Sequence, residues 1–193
     1  MKTTTTLFGF VFIVLFFTTS SFLLKAQEKV TENKTKINFS VKHLGIAVHG
    51  VFNPFEASYH CNPKKVNESF INLKIPVKNI STGNKTRDKN LLSGNFFNES
   101  RYPFILFTST SVEKISLEEY RIKGKLTIKG VTKEISIPLK LSFKDEVNHY
   151  MILKATVTIN RNDYGVGTDY WLAQTCIGNT VTIQSEIKVF LTD

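Results

Sequence analysis

The sequence NTVTIQSEIKVF, residues 179–190, alternates apolar and polar side chains along almost its whole length. Its apolar set is Val181, Ile183, Ile187 and Val189, and polar residues stand between them. Because successive side chains of a β-strand point to opposite faces, this period of two gives one apolar face and one wet face. The segment therefore predicts a half-buried strand.

Seven further segments show the same alternation, and residues that break strands separate them. In chain order they are Lys36 to Lys42, Ala47 to His60, Glu68 to Val77, Phe104 to Lys114, Glu119 to Ile128, Thr132 to Lys144 and His149 to Asn160. Brief turns join several consecutive runs, which is typical of antiparallel structure. The pattern favours an all-β fold, an eight-stranded antiparallel up-and-down barrel that is either filled by side chains or holds one small ligand. A two-sheet sandwich is the alternative that the pattern leaves open.

Two stretches interrupt this meander. Residues 80–103, between the third and fourth strands, are rich in Asn, Ser and Gly and predict one or two short helices that close one barrel end. Here Asp88 is a candidate cap for the helix that carries Leu91. Residues 161–178 form a second excursion, which holds the only tryptophan, Trp171, and is expected to fold over a rim.

The amino-terminal residues 1–26 differ in composition from all that follows. Lys2 precedes an apolar run from Leu7 to Phe17, and small hydroxyl residues and a second short apolar patch lead to Ala26. This order is that of a secretory signal peptide, since a membrane-spanning helix needs roughly 20 apolar residues. We expect cleavage after Ala26, secretion, and one mature domain over residues 27–193. An uncleaved anchor is the alternative.

The net charge of +9 at pH 7 is spread along the chain. No dense basic run stands beside aromatic residues that could stack on bases, so nucleic acid is not an expected partner. Lysines that alternate with apolar residues on exposed strand faces account for the charge. A surface of that kind needs no polyanionic partner.

Motifs for catalysis or metal binding are missing from the sequence. There is no GxSxG elbow, and the four histidines lack paired ligand spacing. We therefore expect no catalytic residue, no metal and no cofactor. The two cysteines, Cys61 and Cys176, either form a disulfide or remain free thiols, and the sequence does not decide between these states.

Short motifs match one known family in their order and spacing, from about residue 37 to residue 189. They are ISTG at 80–83, RD at 87–88 followed by Leu91, NFFN at 95–98 running to Tyr102 and Pro103, Phe107 with Ser109, GKLTIKGVTK at 124–133, RNDYGV at 161–166 and IGNTV at 177–181. In these motifs the sequence resembles the YceI family. The resemblance implies a lipocalin-like barrel, secreted to the periplasm, with an elongated apolar cavity that takes a polyisoprenoid or similar lipid.

Strand phase names the residues that would line such a cavity. The inward-phased wall positions are Phe39, Val41, Phe52, Ile71, Leu73, Ile75, Ile105, Phe107, Leu126, Ile128, Ile137, Leu139 and Val157. The candidates for closing the ends are Phe96, Phe97 and Trp171. The candidates for contact with a head group are His43, Arg161, Tyr164 and Gln174. For the charged motif residues the favoured interpretation is structural, as caps or loop ties, and it applies to Arg87, Asp88 and Arg161.

The expected function is non-enzymatic binding, storage or transport of an isoprenoid or fatty-acyl lipid in the bacterial cell envelope. One alternative is an enzyme that acts on a lipid head group at the barrel mouth. Another is an interaction or stress module whose barrel is packed solid. A transient membrane contact and a homodimer are both left open.

Overall fold

The computed structural model describes residues 28–30 and 36–192, and the predicted signal peptide lies outside them. Within these residues the chain forms eleven strands and two α-helices. The strands are β1 (Glu28–Val30), β2 (Ile37–His43), β3 (Ile46–Phe52), β4 (Glu56–His60), β5 (Phe70–Pro76), β6 (Ile80–Ser81), β7 (Phe104–Lys114), β8 (Glu119–Ile128), β9 (Val131–Asp145), β10 (Tyr150–Asn160) and β11 (Ile177–Phe190). The helices are α1 (Lys85–Leu92) and α2 (Trp171–Cys176), and short 3₁₀ helices lie at Val66–Glu68, Val77–Asn79 and Arg161–Tyr164.

The sequence alternation decides which face of each strand is buried. In β8, Ile122, Leu126 and Ile128 are buried, whereas Lys123 and Lys125 between them are exposed. Burial of the apolar face removes it from water, which is the main favourable contribution to folding. The lysines therefore mark the outer surface of the sheet.

All the described strands belong to one sheet, in the order β1-β4-β5-β7-β8-β9-β10-β11-β2-β3-β6. Every neighbouring pair is antiparallel. Strands β7 to β11 follow one another as a meander. The all-β antiparallel prediction is therefore confirmed.

Two continuous lengths of chain bring the ends of this sheet together. Strand β3 runs into β4 through residues 53–55, and β5 runs into β6 through the 3₁₀ helix Val77–Asn79. Strand β4 pairs with β5 while β3 pairs with β6, so the two lengths lie side by side. Strand β3 also pairs with β2. Apart from the short β1, the strands thus form eight lengths curled into a barrel.

The single strand predicted from Ala47 to His60 is divided in the structure. The division falls at Pro54, which has no N–H to donate to a neighbouring strand. Hydrogen bonds bridge the interruption: Asn53 N donates to Asn79 O at 3.4 Å, and Asn79 Nδ2 donates to Pro54 O at 2.6 Å. The two halves therefore stay in one barrel wall.

Both predicted excursions lie at one end of the barrel, and we call residues 82–103 and 161–176 the roof. Its two parts are joined by a hydrogen bond from Gly167 N to Asn95 O, at 3.0 Å. The helical insertion predicted between the third and fourth strands is α1. The roof therefore covers the barrel with chain that does not belong to the sheet.

The helix cap differs from the prediction. Asn84 caps α1, because its Oδ1 accepts a hydrogen bond from Arg87 N at 3.0 Å. Asp88 lies inside the helix, and its Oδ1 instead accepts hydrogen bonds from the backbone N and the hydroxyl of Thr82. The cap prediction for Asp88 was wrong because the helix begins before it.

Replacing Gly124 with Ala should destabilise the barrel. A Cβ at this position would lie 2.6 Å from Phe107 Cζ and 2.6 Å from Thr108 O. We expect a loss of about 1–3 kcal/mol in the free energy of unfolding, measured by urea denaturation. At Gly94 a Cβ meets nothing within 4 Å, so Gly94→Ala should stay within about 0.5 kcal/mol of the wild type. Equal stability of the two variants would contradict the prediction.

Candidate ligand-binding cavity

The barrel encloses a cavity of about 610 Å³ beneath the roof. Its walls are the inner faces of β2, β3, β5 and β7 to β11, and both parts of the roof border it. Small-molecule pockets typically occupy about 300–1,000 Å³. This part of the barrel is therefore hollow and large enough for a ligand.

Most of the residues predicted to contact a ligand, from strand phase or as closures of the barrel end, line this large cavity. They are Phe39, Val41, His43, Phe52, Leu73, Ile75, Phe96, Phe97, Ile105, Phe107, Leu126, Ile128, Ile137 and Val157. Their contact with a ligand stays a prediction. The structure does show that strand phase selects residues on one continuous inner surface.

Three expected residues lie elsewhere. Ile71 and Leu139 line a smaller cavity of about 100 Å³ further from the roof. Trp171 lines neither of these two cavities and is 70% exposed, so it does not close the barrel end. It is the first residue of α2, and that helix turns Leu172 and Ala173 towards the large cavity instead.

Aromatic rings connect the roof to the wall. The Phe39 and Phe52 rings are 5.4 Å apart, and Phe52 meets Phe97 of the roof edge-on at 6.1 Å. Within the roof, Phe96 meets Tyr170 at 6.2 Å. Such pairs contribute about 0.5–1.5 kcal/mol each beyond the area that they bury. They hold the two parts of the roof over the cavity.

Arg161 is the main polar tie of the roof. Its side chain is 5% exposed, and its nitrogens donate to five acceptors. These acceptors are Gly178 O at 3.1 Å, Val166 O at 2.8 Å, Ala173 O at 2.8 Å, Ile177 O at 3.0 Å and Asn179 Oδ1 at 3.1 Å. Burial lowers the pKa of this guanidinium, but an arginine remains charged at neutral pH. Its position supports the structural role proposed from the sequence.

Arg87 also ties down a loop. Its Nε donates to the Thr82 hydroxyl at 2.8 Å and its Nη2 to Thr82 O at 2.9 Å. Asp88 Oδ1 accepts hydrogen bonds from the backbone N and the hydroxyl of the same threonine. The RD motif therefore fixes the chain just before α1, and Arg87 borders the cavity as it does so.

The candidate head-group residues divide between the cavity and the loop beside it. His43, Arg161 and Tyr164 line the cavity, whereas Gln174 does not and donates from Nε2 to Gly167 O at 3.1 Å. Tyr164 is 2% exposed, and its burial raises the pKa of its hydroxyl. None of the described residues that line the large cavity is Asp or Glu.

Several lining residues were not predicted. Further wall positions follow the inward strand phase and could have been named from it, among them Ile37, Ile135, Ala155, Ile159, Val181 and Ile183. The roof positions have no such phase. In and just before α1 they recur at intervals of four, a helical spacing that signals one face: Thr82, Thr86 and Asn90.

Both cysteines are free thiols. Cys61 lines the small cavity and Cys176 lines the large one. They lie towards opposite ends of the barrel, which excludes a disulfide between them in this structure. Burial raises the pKa of the Cys61 thiol to about 11.

The family-model comparison decides the family: the model described as YceI-like domain matches residues 29–189. The chain belongs to the YceI family. It is 36% identical over 138 residues to protein YceI of Salmonella agona, a match that covers 70% of this chain and 71% of that protein. This agreement confirms the resemblance that was found from the motifs.

Two solved structures share the YceI fold with this chain. BcnA of Burkholderia cenocepacia matches with a TM-score of 0.75 at 22% identity, covering 81% of this chain and 96% of that chain. A polyisoprenoid binding domain from Saccharophagus degradans, implicated in plant cell wall breakdown, matches with a TM-score of 0.66 at 13% identity, covering 85% and 98%. At these identities the likeness concerns the fold alone.

The described part of this YceI chain lacks both a metal-binding cluster and a membrane-spanning helix. Over residues 28–30 and 36–192, no group of three or more His, Cys, Asp or Glu side chains is placed to hold a metal ion. Over the same residues, no helix is both long enough and apolar enough to cross a membrane.

Replacing Arg161 with Lys should destabilise this YceI barrel although it keeps the charge. A lysine cannot reach five acceptors with one ammonium, so buried carbonyls lose their donors. We expect a loss on the order of 3 kcal/mol in the free energy of unfolding, measured by urea denaturation. Arg121→Lys, at an exposed position of β8, is the matched control and should stay within about 0.5 kcal/mol. A stable Arg161→Lys protein would rule out the structural role.

The Cys61 thiol should make the stability of the YceI barrel fall in alkali. The pKa of this thiol is about 11 in the folded state and 9.0 ordinarily, because burial disfavours the thiolate. The neutral thiol therefore contributes fully to the free energy of unfolding below about pH 9, and this contribution is lost as the pH rises through 11. Wild-type protein should lose up to about 1.4 kcal/mol per pH unit more than Cys61→Ala over this interval. Urea denaturation at several pH values measures the difference, and identical slopes would contradict it.

Proposed function

We propose that the protein binds one long apolar lipid, an isoprenoid or fatty-acyl chain, inside the barrel without changing it chemically. The observation that carries this proposal is the cavity of about 610 Å³ enclosed by apolar strand faces. An empty apolar space of this size forfeits packing contacts that a hydrocarbon would restore. Water is a poor filler because the walls offer it few polar partners.

The binding energy comes from hydrophobic transfer. Each buried methylene contributes about 0.8 kcal/mol, so an isoprene unit contributes roughly 4 kcal/mol at most, before ordering costs are subtracted. A few units in the cavity therefore suffice for useful affinity. The YceI family relationship supports an isoprenoid in particular, because a fold relative is described as a polyisoprenoid binding domain.

The polar lining indicates which way the lipid lies. Apart from Ser185, the polar side chains that line the large cavity belong to the roof or, as with His43, to the end of β2. A head group would be placed there, and the hydrocarbon would extend down the barrel away from the roof. The cationic side chains and the lack of carboxylates in the described lining favour a polar or anionic head group.

The described lining supports binding better than catalysis. An enzyme acting on the head group would need a nucleophile or an acid–base pair, yet among the described lining residues of the large cavity His43 is the one histidine and there is no carboxylate. A barrel packed solid, the other alternative, does not fit a hollow interior. We therefore place the protein among carriers or stores of lipid rather than among enzymes.

The cell envelope is the proposed place of action. Residues 1–26 read as an export signal, and the proposal is that residues 27–193 act in the periplasm or outside the cell after its removal. A carrier located there would shield an insoluble chain from water. Intact mass spectrometry of the exported protein tests this part, and the expected mass is that of residues 27–193, with or without the loss of ammonia by which an amino-terminal glutamine such as Gln27 cyclises.

Native mass spectrometry of freshly purified protein tests the binding itself. We expect an adduct of lipid mass in the wild type and at least a hundredfold loss of that adduct in Val157→Asp, because an unpaired carboxylate resists burial beside hydrocarbon. Val157 lines the large cavity, whereas the next residue, Thr158, is exposed on the outer face. Thr158→Asp is therefore the matched control and should keep the adduct. Circular dichroism checks that both variants fold.

A wild-type protein without any lipid adduct, or a Val157→Asp protein with a full one, would contradict the proposal.

A further inference from the structure

Four strands meet the two cavities in the same vertical order. On each strand, three successive inward side chains line first the large cavity alone, then both cavities, and then the small cavity alone. From the roof downward these trios are Ile75, Leu73 and Ile71 on β5; Ile135, Ile137 and Leu139 on β9; Val157, Ala155 and Leu153 on β10; and Ile183, Ser185 and Ile187 on β11.

The middle residues therefore form one level between the cavities, and we call Leu73, Ile137, Ala155 and Ser185 the dividing layer. Its side chains differ in size. Ala155 and Ser185 are small and are directly paired across β10 and β11. Leu73 and Ile137 are bulky. A hydrocarbon chain that passes from the large cavity into the small one would meet the smallest side chains beside Ala155 and Ser185, so its passage there would require the least side-chain movement.

The small cavity ends at the loop between β4 and β5. In that loop Asn62 is 6% exposed, and its Oδ1 accepts hydrogen bonds from Lys64 N at 2.9 Å and Lys65 N at 3.0 Å. The loop is also tied to the end of the chain, because Thr192 N donates to Cys61 O at 2.8 Å. A chain that passes the dividing layer thus gains about 100 Å³ of space before it meets a fixed loop.

We propose that the dividing layer sets the length of the lipid chain that the protein holds, and that the small cavity is the subsite for the terminal unit of that chain. This proposal rests on the proposed function and on a head group at the roof. A lipid too short to cross the layer fills the large cavity alone. The lipid that fits best passes Ala155 and Ser185 and places its last unit in the small cavity, and a longer one leaves its head group outside the roof. A narrower layer would exclude that last unit, and a wider one would leave room for a further unit.

A ladder of all-trans prenols, each one isoprene unit longer than the last, tests this proposal. Farnesol is the shortest probe, and titration followed by native mass spectrometry gives the affinity of the purified protein for each prenol. For the wild type, affinity should rise with length to a maximum and then fall by about tenfold or more at the next unit, as expected when a fixed pocket rejects extra bulk.

Two substitutions should move this maximum in opposite directions. Ala155→Leu fills the dividing layer and should move the maximum to a shorter prenol. Ile137→Ala widens the layer and should move it to a longer one. Ile135→Ala is the matched control, since Ile135 is the previous inward residue of β9 and lines the large cavity alone. It should change affinities along the ladder without moving the maximum.

The outcomes separate this proposal from the one on which it rests. The length proposal would be overturned if the wild type and Ile137→Ala bound the same prenol best. It would also be overturned if Ile137→Ala and Ile135→Ala moved the preferred prenol length by the same amount. Either result would leave lipid binding standing. No binding of any prenol to the wild type would overturn both. Should Ala155→Leu fail to fold, the two isoleucine variants alone decide the question.

Discussion

Closure of one hydrogen-bonded sheet around an apolar inner face is the constraint on which this molecule depends. In a closed sheet the backbone N–H and C=O groups pair with neighbouring strands, so the interior needs no polar side chain to satisfy them. The wall can therefore enclose space without being filled. Closure itself relies on residues 46–60 and 70–81, two lengths that change partners partway along and so bring the ends of the sheet together.

The roof has no neighbouring strand whose N–H groups could donate to its backbone carbonyls. The guanidinium of Arg161 donates hydrogen bonds to two of these carbonyls instead. One buried guanidinium serves carbonyls on both sides of α2, and the aromatic contacts of Phe96 and Phe97 fix the other part of the roof. The motifs RD and RNDYGV thus hold a cover over the cavity. Their arginines donate mainly to the protein's own backbone carbonyls.

The fold and most of the cavity wall could be predicted from strand phase, because burial of side chains in a barrel follows a period of two. Phe39, Ile105 and Val157 could be named for that reason. It could not reveal the depth of a residue along the barrel, which depends on strand tilt and stagger. Ile71 and Leu139 therefore point inward as expected and yet face a different cavity.

The errors in the roof have another origin. Asp88 was assigned as a cap and Trp171 as a closing residue because short helices leave little pattern by which to place their first residue. A shift of one position in a helix turns a side chain by about 100°. Nor could composition distinguish a hollow barrel from a filled one, because the same inward valines, leucines and isoleucines serve both.

The lysine-rich outer faces of the strands have a consequence for recognition. In β8 the lysines lie on the opposite side from the cavity, since Lys123 and Lys125 alternate with Ile122 and Leu126. Occupancy of the interior leaves those outer faces unaltered. A protein partner that distinguishes the lipid-bound barrel from the lipid-free one would therefore have to contact the roof. There a single layer of chain separates the ligand from the protein surface.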